Sequence, residues 1–101
     1  MELGANLTTL LVCADPALAG QFRRAAQQAR VFEILGEIDR YPAQQTLEVR
    51  LRQLRPEVLV LDIATDLAAA EGILRMVRDR PSAPQVVVLH RQAIPDLVVR
   101  W

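Results

Sequence analysis

Three polar side chains that could do chemistry stand close to the ends of apolar segments. They are Asp15, Asp62 and His90. Asp62 directly follows the apolar run 58–61, so its carboxylate is either held at an active crevice or serves as a solvated strand end or turn cap. His90 follows a second apolar run, where an imidazole either faces solvent or acts as a switch. The spacing of the three does not require a metal ion, and no metal site is predicted.

The single cysteine and the arginines offer other chemistry. Cys13 lies in an apolar run, which predicts a buried thiol, and a lone cysteine excludes an internal disulfide. Nucleophilic catalysis by Cys13 with His90 would need a thiolate in a polar place, which this run does not provide. All twelve basic residues are arginine. Arg50, Arg52 and Arg55 can contact phosphate, although an exposed helix face rich in arginine is the ordinary explanation.

Length and composition predict one globular domain over residues 1–101. Apolar residues make up 51% of the chain and charged residues 24%, the balance of a soluble fold. Twelve acidic residues cancel twelve basic ones, which argues against a nucleic-acid partner. The sequence shows neither a signal peptide nor an apolar run of about 18 residues that would span a membrane. We therefore expect a cytoplasmic protein without nucleic-acid or membrane partners.

Strand and helix patterns alternate along the chain. Short apolar runs indicate strands, and apolar residues at helical spacing indicate helices. In the third helix we expect Leu67, Ala70, Leu74 and Val77 to face inward. The predicted strands are 7–14, 32–38, 58–61 and 86–89; the predicted helices begin at Asp15-Pro16, run from Tyr41-Pro42 to Arg55-Pro56, run from about Asp66 to Asp79, and begin again at Ile94-Pro95-Asp96.

This alternation predicts an α/β fold with a doubly wound parallel sheet. Ligands of such folds bind at the carboxyl ends of the strands, where Asp15, Asp62 and His90 are expected. Because the sequence stops at Trp101, inside the last predicted helix, we expect a domain that is incomplete at its C-terminus. The strand 86–89 would then be an exposed edge that pairs with another chain.

Much of the sequence resembles a known family. The string Leu-Arg-Pro-Glu-Val-Leu-Val-Leu-Asp-Ile at 54–63 looks like the stretch around the phosphoacceptor aspartate of response-regulator receiver domains, the CheY-like family. Residues 32–37 are similar to that family's second strand, and residues 15–18 to the start of its first helix. The resemblance implies a flavodoxin/CheY-like fold with strand order 2-1-3-4, truncated before the fifth strand and helix, and it makes Asp62 the phosphoacceptor candidate.

The sequence departs from the family at the positions that phosphotransfer requires. Receivers carry an acidic pair after the first strand that helps to hold Mg²⁺. When Pro16 is aligned with the proline that commonly follows this pair, Cys13 and Ala14 occupy the acidic positions and Asp15 is an N-cap. A shift by one residue would make Asp15 the second acid but would misalign Pro16. His90 stands where receivers have Ser or Thr. These departures indicate an atypical receiver, or pseudo-receiver, with no cofactor, and Mg²⁺ is expected only if the phosphoacceptor role holds.

Pseudo-receivers occur at the N-terminus of pilus-assembly ATPases of the CpaE/TadZ type. Residues 15–18 and 94–101 look similar to that group. The resemblance implies a non-enzymatic signalling and interaction module derived from a phosphorelay, which contacts itself, its own C-terminal part or a partner protein. The candidate residues of the interaction surface are Val86, Val88, Ile94, Val98 and Trp101.

Two alternatives remain open from the sequence. One is a phosphorylatable response-regulator receiver with Asp62 as the acceptor and Asp15 and His90 beside it in the crevice. The other is a flavodoxin-like domain that binds a small molecule, although its first strand–helix turn lacks the glycines typical of nucleotide sites.

Overall fold

Strands and helices alternate along the chain as the sequence predicts. The computed structural model describes residues 6–90 and a strand at 98–100. The elements of this part of the chain are β1 (Leu7–Val12), α1 (Pro16–Ala29), β2 (Phe32–Ile38), α2 (Gln44–Leu54), β3 (Val58–Asp62), α3 (Leu67–Arg78), β4 (Gln85–Leu89) and β5 (Val98–Arg100).

The strands of the described residues form one sheet in the order β2-β1-β3-β4-β5. The first four are parallel, because β1 pairs with β2 and β3, and β3 pairs with β4. Every residue of the central strand β3 is buried, which explains why residues 58–61 are all apolar rather than alternating. The predicted order 2-1-3-4 and the flavodoxin/CheY-like fold class are therefore confirmed.

Helices cover both faces of the sheet, so the predicted doubly wound arrangement is also confirmed. On one face α1 packs through Leu18 and Phe22, and the Phe22 ring lies 5.4 Å from the ring of Phe32. On the other face α2 and α3 pack through Leu47, Leu51 and similar residues against β1, β3 and β4. A fully buried leucine contributes about 1.5–3 kcal/mol relative to an exposed one. The two apolar layers hold the carboxyl ends of β1, β3 and β4 side by side at one edge of the sheet.

The helices differ from the prediction in two details. Helix α2 begins at Gln44 rather than at Tyr41-Pro42, because Ala43 is still extended and makes no side-chain cap. In α3 the side chain of Leu67 is 55% exposed, so the expectation that it faces inward was wrong; Ile73 is buried instead. No helix in the described part of the chain is long and apolar enough to cross a membrane.

The end of the sheet beyond β4 differs from the prediction. Residues 98–100 form the strand β5, antiparallel to β4, with Val87 opposite Val99 and Val88 opposite Val98. The predicted helix through Trp101 is therefore wrong at 98–100, while its start at 94–97 lies outside the described residues. The expectation that β4 is an unpaired edge is wrong as well. Consecutive β-branched valines favour an extended backbone, and β5 satisfies the hydrogen bonds that β4 would otherwise leave open.

Candidate functional site

The candidate site lies where β1, β3 and β4 end. Asp62 is the last residue of β3 and pairs with Leu89 of β4. Asp15 follows β1, and His90 directly follows β4. The parallel topology thus brings the three residues predicted from the sequence to one edge of the sheet. Their environments differ, because Asp62 is fully buried while Asp15 and His90 are only partly buried.

The carboxylate of Asp62 is surrounded by donors of the protein itself. Its Oδ1 accepts the backbone N–H of Ala64 at 2.7 Å and that of Thr65 at 3.2 Å. Its Oδ2 accepts the hydroxyl of Thr65 at 2.6 Å and the backbone N–H of Ala14 at 3.3 Å. Both oxygens therefore have two donors each, about as many as a carboxylate can accept. Asp62 is therefore a buried cap that joins the loop after β1 to the loop after β3. The alternative that it is a solvated strand end is wrong, because its side chain is fully buried.

Tyr41 completes this network from the β2–α2 loop. Its hydroxyl donates a 2.7 Å hydrogen bond to the backbone carbonyl of Asp62 and accepts the N–H of Asp66 at 3.3 Å. Burial raises the pKa of Tyr41, and the charges of Asp62 and Asp66 act in the same direction, so the hydroxyl keeps its proton. The sequence does not predict this role for Tyr41, because Tyr41-Pro42 has the pattern of a helix start. Nothing in the local pattern indicates that its side chain reaches across to β3.

The residues at the two acidic positions of the receiver pattern form no carboxylate pair. Cys13 is a buried free thiol, as predicted, and its Sγ donates to the backbone carbonyl of Asp15 at 3.3 Å. Burial above all, together with the negative charges of Asp62 and Asp15, raises the pKa of Cys13 to about 11. A thiol held neutral in this way is a poor nucleophile.

Asp15 acts as the N-cap of α1, as its position before Pro16 predicts. Its Oδ1 accepts the backbone N–H groups of Ala17 at 2.9 Å and Leu18 at 3.4 Å. Such a cap satisfies helix donors that have no partner within the helix and contributes about 1 kcal/mol. Asp15 thereby has a structural function whatever else it contacts.

The residues at this edge do not fit a magnesium ion. Mg²⁺ prefers carboxylate oxygens with free lone pairs in octahedral geometry. Asp62 uses its oxygens on protein donors, and Cys13 and Ala14 supply no oxygen from their side chains. Among residues 6–90 no group of three or more His, Cys, Asp and Glu side chains could hold a metal. No step that needs Mg²⁺ can be derived from this arrangement.

The predicted interaction surface is only partly described. Val86 and Val88 are buried, with 8% and 3% of their surface exposed, and they line a groove of about 680 Å³ between β4 and α3. On the α3 side the groove is lined by residues that include Leu67, Glu71, Leu74 and Arg78. Val98 lies in β5 opposite Val88. Ile94 and Trp101 lie outside the described residues.

Comparisons with known proteins give no match: no protein-family model, no curated protein and no solved structure is significantly similar to this chain. The resemblance to receivers therefore rests on the residues of the sequence, and the structure adds the fold class alone.

Proposed function

We propose that this chain is a receiver-like module of the pseudo-receiver type, which works through protein contact and not through phosphotransfer. The observation that supports this most directly is the state of the Asp62 carboxylate. It is fully buried, and four protein donors occupy its two oxygens. The proposed role is a non-enzymatic one in cytoplasmic signal transduction, of the kind that pseudo-receivers have in pilus assembly. It requires no cofactor, nucleic acid or membrane.

Phosphotransfer to Asp62 would need rearrangements that the surrounding residues oppose. A carboxylate oxygen must be exposed to attack a phosphodonor, and cations must neutralise the phosphoryl oxygens. Here the attacking oxygen would first have to lose its bond to the Thr65 hydroxyl or to a backbone N–H. The neighbouring Cys13 brings no charge that binds a cation, since its raised pKa keeps it neutral.

Intact-mass measurement tests this half of the proposal. The chain is incubated with a small phosphodonor, such as an acyl phosphate, and Mg²⁺. We expect no phosphoryl adduct under conditions that label a conventional receiver added as positive control. A stoichiometric adduct that disappears in Asp62→Asn would contradict the proposal and support the phosphorelay alternative.

The surface proposed for contact is the α3 side of the groove, and the proposed occupant is a second copy of the chain. Leu67, Glu71, Leu74 and Arg78 follow one another at helical spacing, so they form one stripe along α3. Leu67 is 55% exposed and therefore adds apolar surface to this stripe. If two copies pack their α3 helices antiparallel, with the crossing point between residues 74 and 75, Glu71 of each lies opposite Arg78 of the other. The stripe is thus complementary in charge to itself, as an isologous interface requires.

A series of charge-swap variants tests whether a second copy of the chain binds at this surface. Sedimentation equilibrium is measured for the unaltered chain, for Glu71→Arg, for Arg78→Glu and for the double swap. We expect a dimer that each single variant weakens and that the double swap restores, because only the double swap returns opposite charges to facing positions. Both positions are exposed, so the variants should fold.

Two outcomes would overturn self-association through α3. One is a chain that stays monomeric at every concentration, which would leave a different protein as the occupant. The other is a dimer that is indifferent to all three variants, which would place the interface elsewhere. Neither outcome depends on the phosphodonor experiment, so failure of the contact surface and failure of the non-phosphotransfer role are distinguishable.

A further inference from the structure

A second cavity lies at the opposite end of the sheet, where β3 and β4 begin. It has a volume of about 540 Å³ and is lined by residues of the last turn of α2, the α2–β3 loop and the α3–β4 turn. Arg52, Arg55 and Arg80 contribute to its wall together with Ser82. The volume falls within the range of about 300–1,000 Å³ that small-molecule sites occupy. This cavity is independent of Asp62 and of the α3 stripe.

The charge of this cavity is positive. Its described lining contains three arginines and no acidic residue. Glu48 pairs with Arg80, while Arg52 and Arg55 make no ion pair with another described residue. Two positive charges are therefore uncompensated within the described part of the chain. Arg52 and Arg80 are far apart in sequence, and only the tertiary structure brings their positive charges to the same cavity.

Arg80 is held in place with part of its hydrogen-bonding capacity unused. Its side chain is only 18% exposed, and its pairing with Glu48 fixes one end of the guanidinium group. Its Nε is buried and makes no hydrogen bond among the described residues. A buried donor without a partner is unfavourable, and an anion that drew the guanidinium group toward the cavity would relieve that penalty.

Arginines near the end of a helix also stabilise the helix dipole, and this role accounts for Arg52 and Arg55 taken alone. It does not account for Arg80, which follows α3 and turns its guanidinium toward Glu48 of α2. Nor does it explain why the three lie around one concave volume that also contains a hydroxyl. The apolar part of the wall, Leu51, Pro56 and Pro84, gives a bound molecule an organic surface to contact.

We propose that this cavity binds a small phosphate monoester. Such a group carries close to two negative charges at neutral pH, which matches the two uncompensated arginines. Guanidinium groups bind phosphate through paired hydrogen bonds, and a chain without lysine has only arginine for this purpose. The phosphate contacts Arg52, Arg55 and Arg80, and the organic part lies against the apolar wall.

The arginine Nε–H signals of the full chain in two-dimensional NMR provide the test. Glycerol phosphate, inorganic phosphate and acetate are titrated at matched ionic strength. We expect saturable shifts with the two phosphates, including the Nε–H of Arg80, and none with acetate. Binding should weaken severalfold when the pH is lowered through about 6, where the phosphate loses its second charge.

Matched variants separate this site from general charge effects. Arg52→Gln is compared with Arg24→Gln on the exposed side of α1. Arg55→Asn is compared with Arg30→Asn, because both arginines end a helix in the left-handed conformation, with φ of 47° and 56°. We expect the two cavity variants each to weaken phosphate binding about tenfold, the effect of one charge-assisted hydrogen bond, and the two α1 variants to leave it unchanged.

Three results would overturn the proposal. Shifts that grow without saturation, or equally with acetate, would indicate general ionic effects. Phosphate binding that is weakened as much by the α1 variants as by the cavity variants would also indicate general ionic effects. Vesicles that contain phosphatidic acid are tested as a further ligand. Binding to these vesicles without any response to the soluble phosphates would show that the ligand is a lipid surface and not a small molecule.

Discussion

The hydroxyl of Tyr41 and the backbone carbonyl of Asp62 are joined by a 2.7 Å hydrogen bond that connects the β2–α2 loop to the end of β3. The same hydroxyl accepts the N–H of Asp66, which in turn caps α3. The Asp62 side chain extends the connection to Ala14 after β1. Three loops at the carboxyl edge of the sheet are therefore linked through one residue. In a phosphoacceptor these loops must admit a ligand, whereas here their polar groups bind one another.

Replacing Asp62 by asparagine should destabilise the fold by about 2 kcal/mol. The amide has one acceptor oxygen where the carboxylate has two, so at least one of the donors Ala14 N–H and Thr65 N–H loses its acceptor. Urea denaturation gives the free energy of unfolding. Asp66→Asn is the matched control, since asparagine caps a helix as well as aspartate does and should change the free energy little. An Asp62→Asn variant as stable as the control would show that the carboxylate is not a structural cap.

Removal of the Tyr41 hydroxyl should cost about 1 kcal/mol, the contribution of a typical hydrogen bond. Tyr41→Phe keeps the ring in the apolar cluster of α2 and α3 but loses both bonds to the β3–α3 loop. The free energy of unfolding measures the loss, and amide hydrogen exchange should show faster opening at Asp66. Unchanged exchange at this amide would mean that the hydroxyl does not hold the loop.

The stability of the protein should fall as the pH rises from about 9 to about 11, and Cys13 should account for part of the fall. Burial raises the pKa of its thiol from the ordinary 9.0 to about 11. Above pH 9 the unfolded chain loses this proton while the folded chain keeps it, so the unfolded state is favoured increasingly until the folded thiol ionises as well. Cys13→Ser removes the titration and keeps a donor for the Asp15 carbonyl. Its free energy of unfolding should therefore depend less on pH over this range; an identical pH profile would contradict the assignment.

Replacing Arg30 by glycine should stabilise the fold. This residue ends α1 with φ of 56°, a left-handed conformation that disfavours a side chain with a Cβ. Arg30→Gly relieves that strain but also frees the unfolded chain, so we expect a net gain of about 0.5–1 kcal/mol. The control Arg24→Gly, within the same helix, should instead lose about 1 kcal/mol. Thermal denaturation compares the two, and a loss at both positions would contradict the left-handed cap.

The sequence by itself determined the architecture, because its main signals are local. Four apolar runs separated by helical patterns dictate a parallel sheet, and Asp15 before Pro16 marks the start of α1 wherever that helix packs. The edge at which Asp62 lies follows from the same alternation. The end of the chain was predicted poorly, since residues 98–100 pair with β4 as a strand. Two consecutive valines form a strand only when a partner strand is available, and the sequence of residues 98–100 alone does not show that β4 is that partner.

Only the tertiary structure decided what each polar side chain does. Sequence spacing allowed Asp62 to be either an open carboxylate or a cap, and the choice depends on donors contributed by Ala14 and Thr65 from two different loops. Likewise, Arg52 looks like part of an ordinary exposed helix face until Arg80 is placed beside the same cavity. Hydrogen bonds and charge clusters form between groups that are close in space, and a one-dimensional pattern records spacing along the chain but not the packing that brings these groups together.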